Sequence, residues 1–186
     1  MDSSSEQPPE VLSSEEVYRG RLISVARDTV REGEVTYVRE VVRHPGGAGI
    51  VTCFDDGTTA LVRQYRHPAR AYVLEIPAGK LDPGESPDQT AARELEEELG
   101  VVAARLERLS EFYTTPGFCA EKLWVFLATD LRETALRREA DEIMDVVRVP
   151  LASALALVTS GEIEDAKTII GLTLAARRLG VETSGG

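Results

Sequence analysis

The chain has 186 residues, of which 42% are hydrophobic and 28% charged, a composition typical of one folded domain with an added arm. Its formal net charge of -11 argues against a protein that holds nucleic acid through the phosphate backbone. The N-terminus has no secretion pattern and no apolar run is long enough to cross a bilayer, so we expect a cytoplasmic protein without membrane contact.

The N-terminal part is rich in short runs of β-branched and apolar residues between Glu16 and Val42, interrupted by a turn at Arg31–Glu34. This pattern predicts two or three antiparallel strands. We divide the chain into a disordered tail over residues 1–13, a strand region over 14–46, a main domain over 47–181 and a second tail over 182–186.

The main domain shows a mixed order of strands and helices. Residues 49–54 and 59–65 are predicted to form a strand pair around the turn Asp55-Asp56-Gly57, and a further strand over 72–76 ends at Pro77. Later segments predict strands at 105–113, 122–129 and 143–149 and helices at 151–160 and 166–179. This order predicts a mixed α/β sandwich rather than an alternating parallel fold.

One helix in the middle of the chain has clear ends. Ser86 is a suitable N-cap, Pro87 suits the first helical position, and Gln89 stands where a capping box requires it. The helix is predicted to run through Leu99 and to stop at Gly100, a good C-cap residue.

This helix concentrates negative charge on one face. Glu94, Glu97 and Glu98 are spaced i, i+3, i+4 and so lie together. The opposite face, predicted to be buried, consists of Ala91, Ala92, Leu95 and Leu99. Each like-charge pair costs about 0.2–0.5 kcal/mol. Two interpretations follow: a solvated acidic face, or a site for a hard divalent cation such as Mg²⁺.

The stretch from Gly79 to Val101 resembles the Nudix box, whose form is Gly, five residues, Glu, seven residues, then Arg-Glu-apolar-any-Glu-Glu-any-Gly-apolar. All nine constrained positions are filled, by Gly79, Glu85, Arg93, Glu94, Leu95, Glu97, Glu98, Gly100 and Val101. This resemblance favours the metal interpretation. It also implies an α+β fold in which a mixed β-sheet is sandwiched between helices, and an enzyme that hydrolyses pyrophosphates.

The resemblance further implies roles for individual residues. The metal ligands would be Glu94, Glu97, Glu98 and the carbonyl oxygen of Ala78. The cofactor would be Mg²⁺, with Mn²⁺ or another divalent cation able to substitute. Arg93 and Glu97 count among the catalytic residues, and Arg93 would form an orienting salt bridge with Glu85. Gly79 would let the backbone pass close to the metal.

A general base is expected in the acidic segment 139–142, because the resembled family carries its base just before the strand predicted at 143–149. Glu142 and Glu139 are the two candidates. The alternative is a solvated acidic turn.

Features outside the box resemble the ADP-ribose pyrophosphatase branch of the family. Pro116 matches that branch's proline marker, although Pro-Gly is also an ordinary turn dipeptide. Arg66 suits a phosphate or terminal ribose, and its alternative is a surface arginine at a strand end. Arg39 and Glu40 resemble a strand that grips the adenine in a second subunit. We therefore expect a homodimer that binds a small nucleoside diphosphate.

The function implied is Mg²⁺-dependent hydrolysis of ADP-ribose to AMP and ribose 5-phosphate. One alternative is a Nudix pyrophosphatase for a nucleotide sugar, a dinucleoside polyphosphate or an oxidised nucleotide. Another is a non-catalytic Nudix domain that senses a ligand. The second alternative is disfavoured because such domains usually lose box glutamates, and this chain has all of them.

Overall fold

The structure is a computed structural model that describes residues 7–136 and 143–181. The chain divides into two compact units. The first contains the residues up to Gly46 together with Tyr113–Lys122, and the second contains Gly47–Phe112 and the residues from Leu123 onwards. The sequence analysis placed residues 113–122 in the main domain, whereas in the structure they group with the first unit. Backbone hydrogen bonds explain it, because Val42 donates to Phe118 and accepts from Ala120.

The first unit is built on a three-stranded antiparallel sheet of order β1-β2-β3. Its strands are β1 Glu10–Arg19, β2 Ser24–Glu32 and β3 Val35–Arg43. The tail predicted to end at residue 13 is therefore too long, because Glu10 pairs with Arg31 and extends the ladder. Gly33 lies in the turn between β2 and β3 with φ 59°, a conformation that glycine adopts at little cost.

Among its described residues, the second unit contains two sheets and three helices. Its elements are β4 Gly47–Thr52, β5 Thr58–Arg66, β6 Ala71–Glu75, β7 Ala78–Lys80, α1 Pro87–Leu99, β8 Val101–Tyr113, β9 Lys122–Glu133, β10 Met144–Pro150, α2 Leu151–Ser160 and α3 Ala166–Leu179. One sheet has the order β10-β5-β6 and is antiparallel. The other has the order β7-β4-β9-β8, in which β4 runs parallel to β9 and antiparallel to β7.

The predicted pairing of β4 with β5 is wrong, although the turn between them is present. Phe54 donates its backbone N–H to Thr58 at 3.0 Å, so the chain reverses where expected. The two strands then enter different sheets. Every residue of β4 is buried, as suits a central strand that is covered on both faces. A turn signal specifies a reversal of the chain and leaves the strand's partner open.

The sheet around β4 is covered on both faces by helices. Ile50 of β4 and Phe126 of β9 pack in a cluster with Leu95 of α1. Their neighbours Val51 and Val125 pack in a second cluster with residues of α2 and α3. This alternation follows from the two-residue period of a strand. It confirms the predicted mixed sheet between helices.

The buried face of α1 differs from the predicted one. Ala91 and Leu95 are buried as expected, whereas Ala92 is exposed and Leu99 is half-buried. Glu94 and Glu98 are buried instead. The helix therefore turns two of its acidic residues away from solvent, which its amphipathic pattern alone did not indicate.

Candidate active site

Helix α1 begins and ends where the sequence predicts. Pro87 is its first residue, and the backbone N–H of the N-cap Ser86 donates to Gln89 Oε1 at 2.9 Å. Gly100 follows the last helical residue with φ 64°, and its N–H donates to the carbonyl oxygen of Glu96 at 3.1 Å. Both caps satisfy backbone groups that a helix end leaves without partners.

The loop that precedes α1 passes very close to its buried glutamates. Only 4% of Glu94 and 3% of Glu98 is exposed. Glu98 accepts the backbone N–H of Ala78 at 3.2 Å. A Cβ atom added to Gly79 would lie 1.7 Å from Glu94 Oε1, so a larger residue would displace that carboxylate. The glycine of the box is therefore required by the approach of the loop to the helix.

Arg93 connects three carboxylates and a carbonyl group. Its Nε donates to Glu85 Oε1 at 3.0 Å, and its Nη1 donates to Glu94 and Glu97 at 2.7 Å each. Its Nη2 reaches the carbonyl oxygen of Lys80 at 3.2 Å. These bonds agree with the orienting role expected of Arg93, because they tie the loop to the helix.

The ion pair with Arg93 has a clear electrostatic effect on its partner. Hydrogen bonds from Arg93, reinforced by one from Thr90, lower the pKa of Glu85 to about 2. The pKa of Arg93 is raised above its ordinary value, chiefly by its hydrogen bonds to Glu85. Both groups therefore stay charged across the neutral pH range.

The donor set suits a hard divalent cation. Glu94, Glu97, Glu98 and the carbonyl group of Ala78 offer only oxygen atoms, the ligands that Mg²⁺ prefers. Because Gly79 has no side chain, the Glu94 carboxylate lies directly against the loop that carries the carbonyl group of Ala78. Within residues 7–136 and 143–181, no three acidic, histidine or cysteine side chains converge as a ready-made cluster. The carboxylates are instead occupied by donors such as Arg93 and the amide of Ala78.

A cavity of about 540 Å³ lies beside these residues in the second unit. Its lining consists of Gln64, Tyr65, Arg66, Tyr72, Ala78, Glu98, Ile143 and Met144. The structure thus brings Arg66, predicted to bind substrate, together with the predicted metal ligands Ala78 and Glu98. Glu139 and Glu142, the two candidates for the general base, lie outside the described residues.

Arg66 is held by a partner that the sequence analysis missed. Its Nε and Nη2 each donate to a carboxylate oxygen of Glu75 at 2.7 Å. Glu75, 2% exposed, also accepts Nζ of Lys167. Burial opposes the charge of Glu75, but the hydrogen bond from Arg66 and the charge of Lys167 outweigh it and lower the pKa. A charged residue at the end of β6, after Tyr72, Val73 and Leu74, was the available signal for Glu75.

The remaining predicted substrate residues belong to the first unit. Arg39 is exposed, and its guanidinium lies 4.0 Å from the ring centre of Tyr37. Glu40 is exposed on the same strand. Pro116 lies in an exposed turn in which Cys119 donates its N–H to the carbonyl oxygen of Thr115 at 3.0 Å. Their roles toward substrate stay predictions.

Comparison with known proteins agrees with this site. The family model of the NUDIX domain matches residues 43–170. An ADP-ribose pyrophosphatase of Bacillus subtilis (strain 168) is 42% identical over 161 residues, which cover 84% of this chain and 86% of the relative. An ADP-ribose pyrophosphatase of Mycobacterium tuberculosis is 42% identical over 169 residues, or 88% of this chain and 81% of the relative.

A solved structure described as an ADP compounds hydrolase superposes with a TM-score of 0.82 at 29% identity, covering 97% of this chain and 100% of that one. Together with the complete box on α1, these matches place the fold and the site in one class, a hydrolase built around an acidic helix. The chain belongs to the Nudix hydrolase family. Among the described helices, none is long and apolar enough to span a membrane.

Proposed function

We propose that the protein hydrolyses the diphosphate bond of ADP-ribose and releases AMP and ribose 5-phosphate. The observation that carries the proposal is a cavity lined by Arg66, Ala78 and Glu98, which combines a cation able to bind phosphate with two predicted metal ligands. Two relatives named as ADP-ribose pyrophosphatases support the choice of substrate, since each is 42% identical to this chain.

The site residues divide the work between them. Glu94, Glu97, Glu98 and the carbonyl oxygen of Ala78 would hold Mg²⁺, or Mn²⁺ in its place. The cation supplies neutralisation of the diphosphate charge and activation of a water molecule. Arg93 positions the loop and the acidic face through its bonds to Glu85, Glu94 and Glu97. Within the described part of the chain, Nη1 of Arg66 has no hydrogen bond and is available to a phosphate oxygen.

The general base in this proposal is Glu142 or Glu139, one of which would accept a proton from the attacking water. The choice is tested by the variants Glu142→Gln and Glu139→Gln. The residue that acts as the base should show a loss of kcat with little change in KM, whereas the other variant should behave like the wild type. Equal, near-normal turnover in both variants would place the base elsewhere.

The first unit would complete the substrate site in a homodimer of this cytoplasmic enzyme. Arg39 and Glu40 would reach the adenine side of the partner's site, and Pro116 would line the nucleoside end. Support comes from the three-stranded sheet, which leaves an outer edge on β1 within the described residues. It also exposes apolar side chains on β1, such as Val11 and Val17. A symmetric dimer is the commonest way to cover such surfaces.

The decisive experiment is a substrate panel with Mg²⁺, in which chromatography identifies the products. ADP-ribose should yield AMP and ribose 5-phosphate, and both should vanish with EDTA and in Glu98→Gln. A nucleotide sugar, a dinucleoside polyphosphate and an oxidised nucleoside triphosphate complete the panel. Faster turnover of one of these would reassign the substrate within the family. Binding of ADP-ribose without any turnover would favour the ligand-sensing alternative.

A further inference from the structure

A charge cluster around a buried carboxylate lies at the start of α3, outside the Nudix box. At its centre is Glu75, which accepts Nε and Nη2 of Arg66 and Nζ of Lys167. The side chain of Lys167 is only 11% exposed and also pairs with Asp165 at 3.1 Å. A buried charge without a partner of opposite charge destabilises the folded state. The pairing of Glu75 with Arg66 and Lys167 is therefore specific.

Hydrogen bonds between side chains and backbone N–H groups hold the cluster in place on α3 and after β6. Asp165 is the N-cap of α3, and its Oδ2 accepts the N–H of Thr168 at 2.9 Å. The hydroxyl oxygen of Thr168 in turn accepts the N–H of Ile76 at 2.8 Å. Ile76 follows Glu75 and stands two residues before Ala78. The first turn of α3 therefore clamps the segment that carries both Glu75 and the cavity residue Ala78.

The charges of the cluster balance only when Lys167 is included. Glu75 and Asp165 contribute two negative charges, and Arg66 and Lys167 contribute two positive charges. Without Lys167, these four described residues would hold one cation, Arg66, against two carboxylates. The two carboxylates would then neutralise the charge of Arg66, and Arg66 would attract an anion in the cavity more weakly. Lys167 also occupies one side of the Glu75 carboxylate, which restricts the orientation in which Glu75 holds Arg66.

We propose that Lys167 is a positioning residue that acts through Glu75 to orient Arg66 and to preserve its positive charge for the diphosphate group of the ligand. Lys167 itself does not line the cavity, whereas Arg66 does. This inference rests on the proposed function, because it assigns Arg66 to a diphosphate ligand. It adds a residue from α3 to a site that the box alone does not describe.

The test uses the full chain and begins with four single substitutions. Lys167→Met removes the charge and keeps an unbranched side chain, while Lys167→Gln removes it and keeps a polar end. Lys167→Arg keeps the charge and should restore wild-type behaviour. The matched control is Arg178→Met, which removes a cation from the same helix, where Arg178 pairs with Glu107 on the surface. Thermal unfolding of each variant reports whether it is folded.

In the hydrolysis of ADP-ribose, the loss of the Lys167 charge should change KM and leave kcat nearly unchanged. In Lys167→Met and Lys167→Gln, KM should rise about tenfold, which corresponds to about 1.4 kcal/mol, while kcat changes little. Lys167→Arg and Arg178→Met should keep the wild-type KM. In a Glu75→Gln background, Lys167→Met should have no further effect on KM, because the residue through which it acts is already altered.

Three results would overturn the inference. A lower melting temperature with an unchanged KM would show a structural role alone. A fall in kcat at constant KM would place Lys167 in the chemical step. An undiminished effect in the Glu75→Gln background would show that Lys167 acts on the ligand without Glu75.

A second readout separates this inference from the proposed function. Calorimetry in EDTA measures the binding of ADP, a diphosphate, without metal and without turnover. Affinity for ADP should fall about tenfold in Lys167→Met and in Arg66→Met, and should be unchanged in Arg178→Met. The variants could show this pattern of ADP affinities while the wild type does not hydrolyse ADP-ribose. In that case the proposed substrate is wrong and the role of Lys167 is supported. If Lys167→Met leaves the affinity for ADP unchanged, the proposed role of Lys167 is wrong for any substrate.

Discussion

The two units of the molecule are stabilised in different ways. In the second unit, β4 is buried along its whole length and contributes to two apolar clusters. In the first unit, β1 is exposed along its whole length. Its sheet is linked by exposed ion pairs such as Arg27 with Glu15, and such pairs contribute little to stability, about 0–1 kcal/mol. The second unit therefore has an extensive apolar core, whereas the outer strand of the first unit buries none of its side chains.

The same contrast holds for the charged residues. In the second unit, Arg93 and Glu75 each join several partners in sheltered positions, and the pKa of Glu75 is lowered in spite of its burial. In the first unit, Arg39 and Glu40 are exposed. Sheltered groups are already arranged for a ligand. Exposed groups gain a defined position only when a partner covers them. The following predictions test this difference.

The largest effect is expected from removal of residues 1–46, which deletes β1, β2 and β3. The remaining chain should lose dimerisation and ADP-ribose hydrolysis, although every residue of the box is still present. Val42, which bonds to Phe118 and Ala120, is lost as well, so the segment 113–122 loses its strand partner. Light scattering and the product assay measure both properties. A truncated monomer with full activity would show that the first unit is dispensable.

A single substitution in the sheltered site should have the next largest effect. Glu98→Gln keeps an oxygen acceptor for the N–H of Ala78 but removes a charge from the predicted metal site. We expect kcat to fall by about 100-fold or more without a lower melting temperature. The matched control is Glu96→Gln, at an unconstrained position of the box, which should retain wild-type turnover. Near-normal turnover in Glu98→Gln would contradict its assignment as a ligand.

The same substitution, valine to alanine, can be made in both units to compare a buried strand position with an exposed one. Val51 is 0% exposed in β4, and Val35 is 63% exposed in β3. Val51→Ala should lower the free energy of unfolding by about 2 kcal/mol, because it removes buried methyl groups and leaves a cavity. Val35→Ala should change it by less than about 0.5 kcal/mol. Urea denaturation measures both. An equal cost for Val35→Ala would show that this face of the first unit is covered in solution.

The smallest effect concerns acid pH. The pKa of Glu85 is lowered to about 2 by Arg93 in the folded protein, from an ordinary value of 4.5. The stability from this pair is therefore fully present above pH 4.5 and is lost as the pH falls from 4.5 toward 2.

The variant Glu85→Gln tests this direction of the pH dependence of stability. It should lose about 1 kcal/mol of stability at pH 6 and progressively less at lower pH, measured by urea denaturation. The matched control is Glu15→Gln, which removes an exposed pair with Arg27 and should show no such dependence. A cost of Glu85→Gln that is constant with pH would contradict the electrostatic origin of the pair.

Much of the site was predictable because its signals are local. The ends of α1 follow from Ser86, Pro87 and Gly100, and the spacing of Glu94, Glu97 and Glu98 follows from the helical repeat. The box gave the family, which the comparisons confirm. Residues within one turn or one helix determine these features, so the sequence carries them without knowledge of the rest of the fold.

Tertiary structure alone decided which distant segments meet. The sequence indicated the reversal between β4 and β5 but not their separation into two sheets, because strand partners depend on burial across the whole domain. It indicated the charges of Glu75 and Lys167, which are 92 residues apart, but not their contact. An isolated lysine at the start of a helix is usually solvated. Only the fold brings the start of α3 next to the end of β6, where Lys167 is largely removed from water and has the buried carboxylate of Glu75 as its partner.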